Sequence, residues 1–241
     1  MGEFTDKVMS DPERGFLKAA MMGPNAMRIA EEMASFLEVK AGSRILDLGC
    51  GWGLSTLLLV EKYDAEVFAA DLWISPTDNY ERFEALGISD QAVPISVDAS
   101  KGLPFAHGYF DILFSVDAYH YFGDTPDMLP SLIPFVKKGG YIAIAIPGLQ
   151  FEFGDDVPAE MQPFWEEAEV QRTIHSLDWW EKLWRDTVGI ELVGIREMSC
   201  HKEAWEEWLR SPNPYAAGDI EMMKADNGKY FNTIQFITKV I

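Results

Sequence analysis

The chain has 241 residues, 48% of them hydrophobic, and carries 39 acidic against 20 basic side chains for a formal net charge of −19. So acidic a surface repels phosphate backbones and anionic membranes, which argues against nucleic acid or a lipid surface as a partner. No apolar run approaches the ~20 residues of a membrane helix, and Met1–Lys7 is polar and acidic, unlike a signal peptide. One well-filled core in a cytoplasmic protein is therefore expected. The two cysteines, Cys50 and Cys200, lie far apart, and no disulfide is expected between them.

Residues 1 to 23 carry few periodic signals. From Pro24, the positions Ala26, Ile29, Ala30, Met33 and Leu37 recur at helical spacing, which predicts a helix over 24–38 with Arg28, Glu31, Glu32 and Ser35 on its wet side. Strand and helix signals then alternate. Arg44–Leu48 reads as a first strand and Gly53–Tyr63 as the following helix. Glu66–Asp71 reads as a second strand, and Tyr80–Leu86 as a helix closed by Gly87. Ala92–Val97 is a third strand despite Pro94, and Phe110–Val116 a fourth. Pro126–Val136 reads as a helix broken by Pro130 and Pro134. Lys137–Gly140 reads as a turn into a fifth strand, Tyr141–Ile146.

Beyond Pro147 the pattern changes. Residues 155 to 188 are acidic and rich in tryptophan (Trp165, Trp179, Trp180, Trp184). Ile190–Met198 reads as a strand and His201–Arg210 as a short helix. Residues 219–226 read as helical turns, and Asn227-Gly228 turns the chain into a last strand, Tyr230–Ile241. The alternation implies an α/β fold, a parallel sheet covered by helices on both faces. In such a sheet ligands bind beyond the carboxyl ends of the strands. Those ends are Asp47 with Gly49–Gly53, then Asp71-Leu72-Trp73, Asp98-Ala99-Ser100 and Ser115-Val116-Asp117.

The most informative segment is Ile45-Leu46-Asp47-Leu48-Gly49-Cys50-Gly51-Trp52-Gly53. It reads as a buried strand, a turn with glycine at alternate positions, and a helix start. Glycines permit positive φ and close approach of a ligand. Their spacing is G-x-G-x-G, whereas the dinucleotide fingerprint is G-x-G-x-x-G, and Leu54 stands where that fingerprint has its third glycine. The segment resembles motif I of the class I S-adenosylmethionine-dependent methyltransferases of small-molecule, ubiquinone-biosynthesis-like type.

That resemblance implies a Rossmann-like seven-stranded sheet with an antiparallel last strand, plus a small helical cap. It implies S-adenosylmethionine as cofactor and methyl transfer to a small organic acceptor. Asp47 then orients the loop and the methionyl amino group, and the amides of Gly49 and Gly51, with Cys50 between them, approach the methionyl portion. Asp71 is the ribose-binding acid, Leu72 and Trp73 flank the adenine, Asp98-Ala99 meets its edge, and Ser115 ends the fourth strand beside it. His120 resembles the histidine found after the fourth strand in relatives; it is the candidate general base, or it simply packs or hydrogen-bonds in the loop. The other three histidines show no metal-like spacing, so no metal is expected.

The expected organisation is a single domain: a helical cap segment (1–40), a cofactor-binding core (41–148), Trp-rich cap insertions with the sixth strand (149–229) and the last strand (230–241). Met21–Asn25 and the tryptophans are expected to form the cap over the acceptor. A catalytically silent, methyltransferase-like binding protein is the competing class, and it predicts a degraded rim where Asp71, Asp98 and the glycine loop stand.

Overall fold

A computed structural model describes residues 2–165 and 173–241; the part of the Trp-rich expectation that falls on 166–172 lies outside the described residues. Four parallel strands form one side of the sheet: β1 (Arg44–Leu48), β2 (Glu66–Asp71), β3 (Ala92–Ser96) and β4 (Phe110–Val116). With β5 (Val136–Leu149), β7 (Ile190–Glu197) and β8 (Phe231–Val240), the order is β3-β2-β1-β4-β5-β8-β7. β8 runs antiparallel to both neighbours. A two-residue strand, β6 (His175–Ser176), pairs with the end of β5. Strand order therefore reverses between β1 and β4, the place where an open α/β sheet gathers its ligands.

Pro94 is tolerated because β3 is an edge strand, where a missing donor leaves no central bond unmade. One expectation needs correction around β5. The lysines and glycines of 137–140 do not turn the chain but extend the strand, because Lys137 Nζ is held by Asp111 on β4 at 2.6 Å and the ladder there carries a bulge. The segment before it forms only α5 (Met128–Leu132) and one 3-10 turn, Ile133–Phe135, as its two prolines dictate.

Helices cover both faces. On one side α2 (Ala26–Ala34), α3 (Leu54–Tyr63) and α4 (Pro76–Leu86) pack Ile29, Met33, Leu57, Leu58 and Phe83 against Phe114 and Ile237 of the sheet. On the other, α5 and α6 (Leu177–Trp184) bring Met128, Leu132, Trp180 and Trp184 onto Leu113, Ile144 and Phe236. Trp180 and Trp184 are thus core residues, contrary to the cap expected of them. Trp165 packs with Phe153, Met161 and Phe231 in a satellite cluster.

The N-terminal segment, unmarked by periodicity, forms α1 (Glu3–Ser10) and 3-10 turns over Pro12–Ala20. It docks on α2 through the residues expected to be wet. Arg28, Glu31 and Glu32 are only 6%, 4% and 4% exposed. Glu31 accepts the amides of Phe4 and Thr5, the Thr5 hydroxyl and Lys62 Nζ. Glu32 accepts Ser199 N and Cys200 N at the start of α7 (His201–Leu209). Arg28 binds Asp6 of α1 and Glu207 of α7. The long connection between β7 and β8 folds as α7 and α8 (Ala216–Asp226) and packs behind the N-terminal segment, where Asn213 Nδ2 donates to Met21 O at 2.7 Å.

Candidate active site

A cavity of about 520 Å³ opens beyond the carboxyl ends of β1 to β4, a size typical of small-molecule and cofactor sites. The glycine loop forms its floor. Gly49, Gly51 and Gly53 have φ of 75°, 52° and 83°, values that residues with a Cβ rarely adopt. Space is equally restrictive: a Cβ on Gly49 would lie 2.2 Å from the Ala118 Cβ, and one on Gly53 would lie 2.5 Å from the Phe83 ring. The expected display of free amides is not what the loop offers. Gly49 N and Cys50 N donate to Ala70 O, and Gly51 N donates to an Asp71 carboxylate oxygen at 2.8 Å. The loop faces the cavity with glycine Cα surfaces and is locked onto β2 by its own donors.

Asp71 is the lock. Its other oxygen accepts the amides of Trp73 at 2.8 Å and Ile74 at 2.9 Å. A carboxylate has about four lone-pair sites, so three are engaged and the carboxylate is fixed in orientation at the cavity wall. Asn79 Nδ2 adds a bond to Gly51 O at 2.9 Å. Asp98 lies at the next strand end, accepting the Ser100 amide and hydroxyl and pairing with Lys101 Nζ at 2.7 Å. Hydrogen bonding to Lys101, then to Ser100, holds its carboxyl below the usual range. Ala99 lines the wall beside it, and Leu72 and Trp73 stand at the mouth. Trp73 is 65% exposed and meets Tyr121 edge-to-face at 5.1 Å.

Two residues expected at the site lie beneath it. Asp47 is fully buried, and one oxygen accepts the hydroxyls of Ser55 and Thr56 at 2.7 Å each. It anchors the first turn of α3, whose N-cap Gly53 has no side chain to do so, at the end where a negative charge is favoured. Burial pushes its carboxyl up to about 6 against those hydrogen bonds. Ser115 is also fully buried and donates to Leu48 O at 2.8 Å, stitching β4 to β1. Neither lines the cavity, whereas Gly49, Cys50, Gly51, Asp71, Leu72, Trp73, Asp98 and Ala99 do. The Cys50 thiol is buried and raised well above its ordinary pKa, chiefly by desolvation, so it is no nucleophile.

His120 does not reach the cavity wall either. Its ring is 4% exposed, lies 4.0 Å from Tyr121, and leaves Nδ1 without a partner among the described residues. Desolvation lowers its pKa to about 3, so it is neutral at physiological pH and a weak base. The acid three residues earlier is better placed. Asp117 lines the cavity, in the left-handed region at φ 54°. Its Oδ2 lies so near Gly23 that a Cβ there would be 2.7 Å away. The sequence signal for Asp117 is an acid just past the end of β4. Met22, Gly23 and Pro24 wall another side of the cavity, joined by Tyr121 and Phe122. No tryptophan of the Trp-rich segment does so among the described residues.

Residues 45–140 match the family model for the methyltransferase domain. Over that stretch the chain carries a methyltransferase domain. It is 30% identical over 115 residues to phosphoethanolamine N-methyltransferase 1 of Triticum aestivum, a match covering 48% of this chain and 23% of that one. It is 32% identical over 139 residues to the 2-methyl-6-phytyl-1,4-hydroquinone methyltransferase of Synechocystis sp. (strain ATCC 27184 / PCC 6803 / Kazusa), covering 58% and 40%. The chain thus spans well under half the length of these two relatives. Among solved structures, a geranyl diphosphate methyltransferase in complex with SAM superposes with a TM-score of 0.70 at 17% identity, covering 98% of this chain and 95% of that one. This methyltransferase fold contains no described helix long and apolar enough to cross a membrane.

Proposed function

We propose that the chain transfers the methyl group of S-adenosylmethionine to a small organic acceptor by in-line displacement, within a single domain whose N-terminal segment walls the acceptor side. The observation that carries this reading is one cavity joining the glycine loop to the acids that end β2 and β3 and follow β4. The donor's contribution when bound is an electrophilic methyl carbon on a sulfonium. The chain contributes position, charge and dryness. Asp71, pre-set by three backbone amides, presents its remaining lone pair to a ribose hydroxyl. Ala99 and Asp98 flank the adenine, and Leu72 and Trp73 close over it. The Cα faces of Gly49 and Gly51 let the methionyl chain lie on the loop, while Asp47 and Ser115 hold that loop from below. His120 packs and does not take the proton.

Calorimetric titration with S-adenosylmethionine, S-adenosylhomocysteine and NAD⁺ tests the cofactor assignment. Saturable one-to-one binding of the first two without the third is expected. Binding of NAD⁺ alone, or of none, would overturn it. Methyl transfer itself is tested by incubating the protein and labelled donor with metabolite extracts, where labelled product should appear only with active protein.

A further inference from the structure

The charged groups lining the cavity are all of one sign. Asp71, Asp98 and Asp117 line it, and no lysine, arginine or histidine does so among the described residues. Two of the three carboxylates are already engaged: Asp71 by backbone amides and Asp98 by Ser100 and Lys101. Asp117 differs. Among the described residues no hydrogen-bond donor or cation meets its carboxylate, although it is half-buried and its backbone is held in a region unusual for a residue with a Cβ. Such an outlier is a place to look for function. An unmatched carboxylate within an apolar wall wants a donor, and the rings of Tyr121 and Phe122 line the same space. Aromatic faces attract cations.

We propose that the acceptor is an apolar amine, bound with its nitrogen on Asp117 and its hydrocarbon part against Met22, Pro24, Tyr121 and Phe122. This rests on the methyltransferase reading above and narrows it to one substrate class and one specificity-determining side chain. Phosphorylated or carboxylated acceptors are disfavoured at that position, since their charge would meet the Asp117 carboxylate with no lysine, arginine or histidine lining the cavity among the described residues. That sets this chain apart from a relative whose name specifies phosphoethanolamine.

The chemistry balances. Asp117 takes one proton from the bound ammonium, freeing the nitrogen lone pair. The N–C bond forms as the methyl C–S bond breaks, its electron pair staying on sulfur. The product is the N-methylammonium ion and the neutral thioether, and the proton on Asp117 returns to solvent. Burial, with the charge of Asp219 on α8 adding to it, raises the Asp117 carboxyl to about 7, suited to a group that exchanges a proton near neutrality. The other titratable groups around it are Asp71, Asp98, Cys50 and Tyr121 in the same cavity and His120 on the same loop, which burial keeps neutral.

The test uses the full chain saturated with S-adenosylhomocysteine and a matched panel of aryl-alkyl amines, the corresponding alcohols, carboxylates and phosphate esters, read by calorimetry. Amines alone should bind, and Asp117→Asn should weaken them by ~10-fold or more, as loss of a charged hydrogen bond does. The variant should keep the wild-type affinity for S-adenosylhomocysteine and the wild-type fold by circular dichroism. With labelled donor, the amines that bind should become methylated. Binding confined to alcohols, carboxylates or phosphates, or amine affinity indifferent to Asp117→Asn, would overturn the inference. Failure of the wild-type chain to bind S-adenosylhomocysteine would instead overturn the methyltransferase reading beneath it.

Discussion

Asp117 is arranged at some cost to the fold. Its φ of 54° is a conformation that Asp and Asn tolerate better than most residues, yet it still stores strain. Its carboxyl, raised to about 7 by burial and then by Asp219, is harder to ionise in the folded chain than in the unfolded one. A raised acid favours folding fully only below its unfolded pKa, near 3.8, and that advantage is lost as pH rises through about 7. Asp117→Asn removes the charge and keeps a residue suited to this backbone. The variant should therefore melt like wild type near pH 4 and increasingly above it from pH 5 to 8, by ~1–3 kcal/mol at the top of that range. Thermal melts across this range check the sign; a variant less stable than wild type at pH 8 would show that Asp117 is paired rather than strained. Sites that stabilise the fold when removed are commonly functional.

Among the elements, α2 bears the most joints. Its two consecutive glutamates and Arg28 tie α1, α3 and α7 together, and the chain immediately before it walls the cavity. Arg28 is 6% exposed and bonds Glu207 with both Nε and a terminal nitrogen, while also reaching Asp6. Truncating it strands these acids beside one another. Arg28→Ala is expected to cost roughly 1.5–3 kcal/mol, the range for losing charged hydrogen bonds, since Asp6 is mostly and Glu207 partly exposed. Arg28→Lys should recover little, because a point charge cannot replace a fork. Denaturant unfolding measures the loss, and limited proteolysis should show cleavage appearing before residue 24.

This is also where the sequence was least legible. Hydrophobic periodicity located α2, yet it placed Arg28, Glu31 and Glu32 in water, because a pattern rule cannot see that three other helices supply their partners. Local signals did better where one residue type forces one geometry. The glycines of 49–53, the prolines of 130 and 134 and Pro94 on an edge strand all behaved as steric rules require, and the strand ends converged as topology requires. The tryptophans misled because indoles suit a cap and a core equally, and only the return of β8 beside β5 gave Trp180 and Trp184 a sheet face to cover. Within the site, the sequence left His120 between base and packing residue; burial removes its basicity, and Asp117 stands at the wall.

For the whole molecule, the net charge of −19 and a few buried titratable groups together set the pH of greatest stability. Asp47 and Asp117 are raised to about 6 and about 7. Both acids therefore favour folding as pH falls through those values toward 3.8. His120, lowered to about 3, acts oppositely: the unfolded chain gains that proton below about 6.5, which costs stability. His201, lowered by burial, adds a second loss of the same sign; the gain from Asp117 begins at higher pH than either histidine loss, and partial neutralisation of the surface relieves self-repulsion in the same direction as the gains. Below about 4.5 the order inverts, because Glu31 is held at about 2, its bonds to Lys62, Thr5 and Phe4 outweighing burial, and protonating it breaks the α1 joint. The melting temperature should therefore rise by several degrees from pH 8 to pH 5.5 and fall steeply below pH 4. Added salt should raise it at pH 8 more than at pH 5.5, since screening matters most where charge is greatest. Differential scanning calorimetry at two salt concentrations checks both statements. A maximum above pH 7 that salt does not move would mean that Asp47 and Asp117 ionise freely in the folded chain.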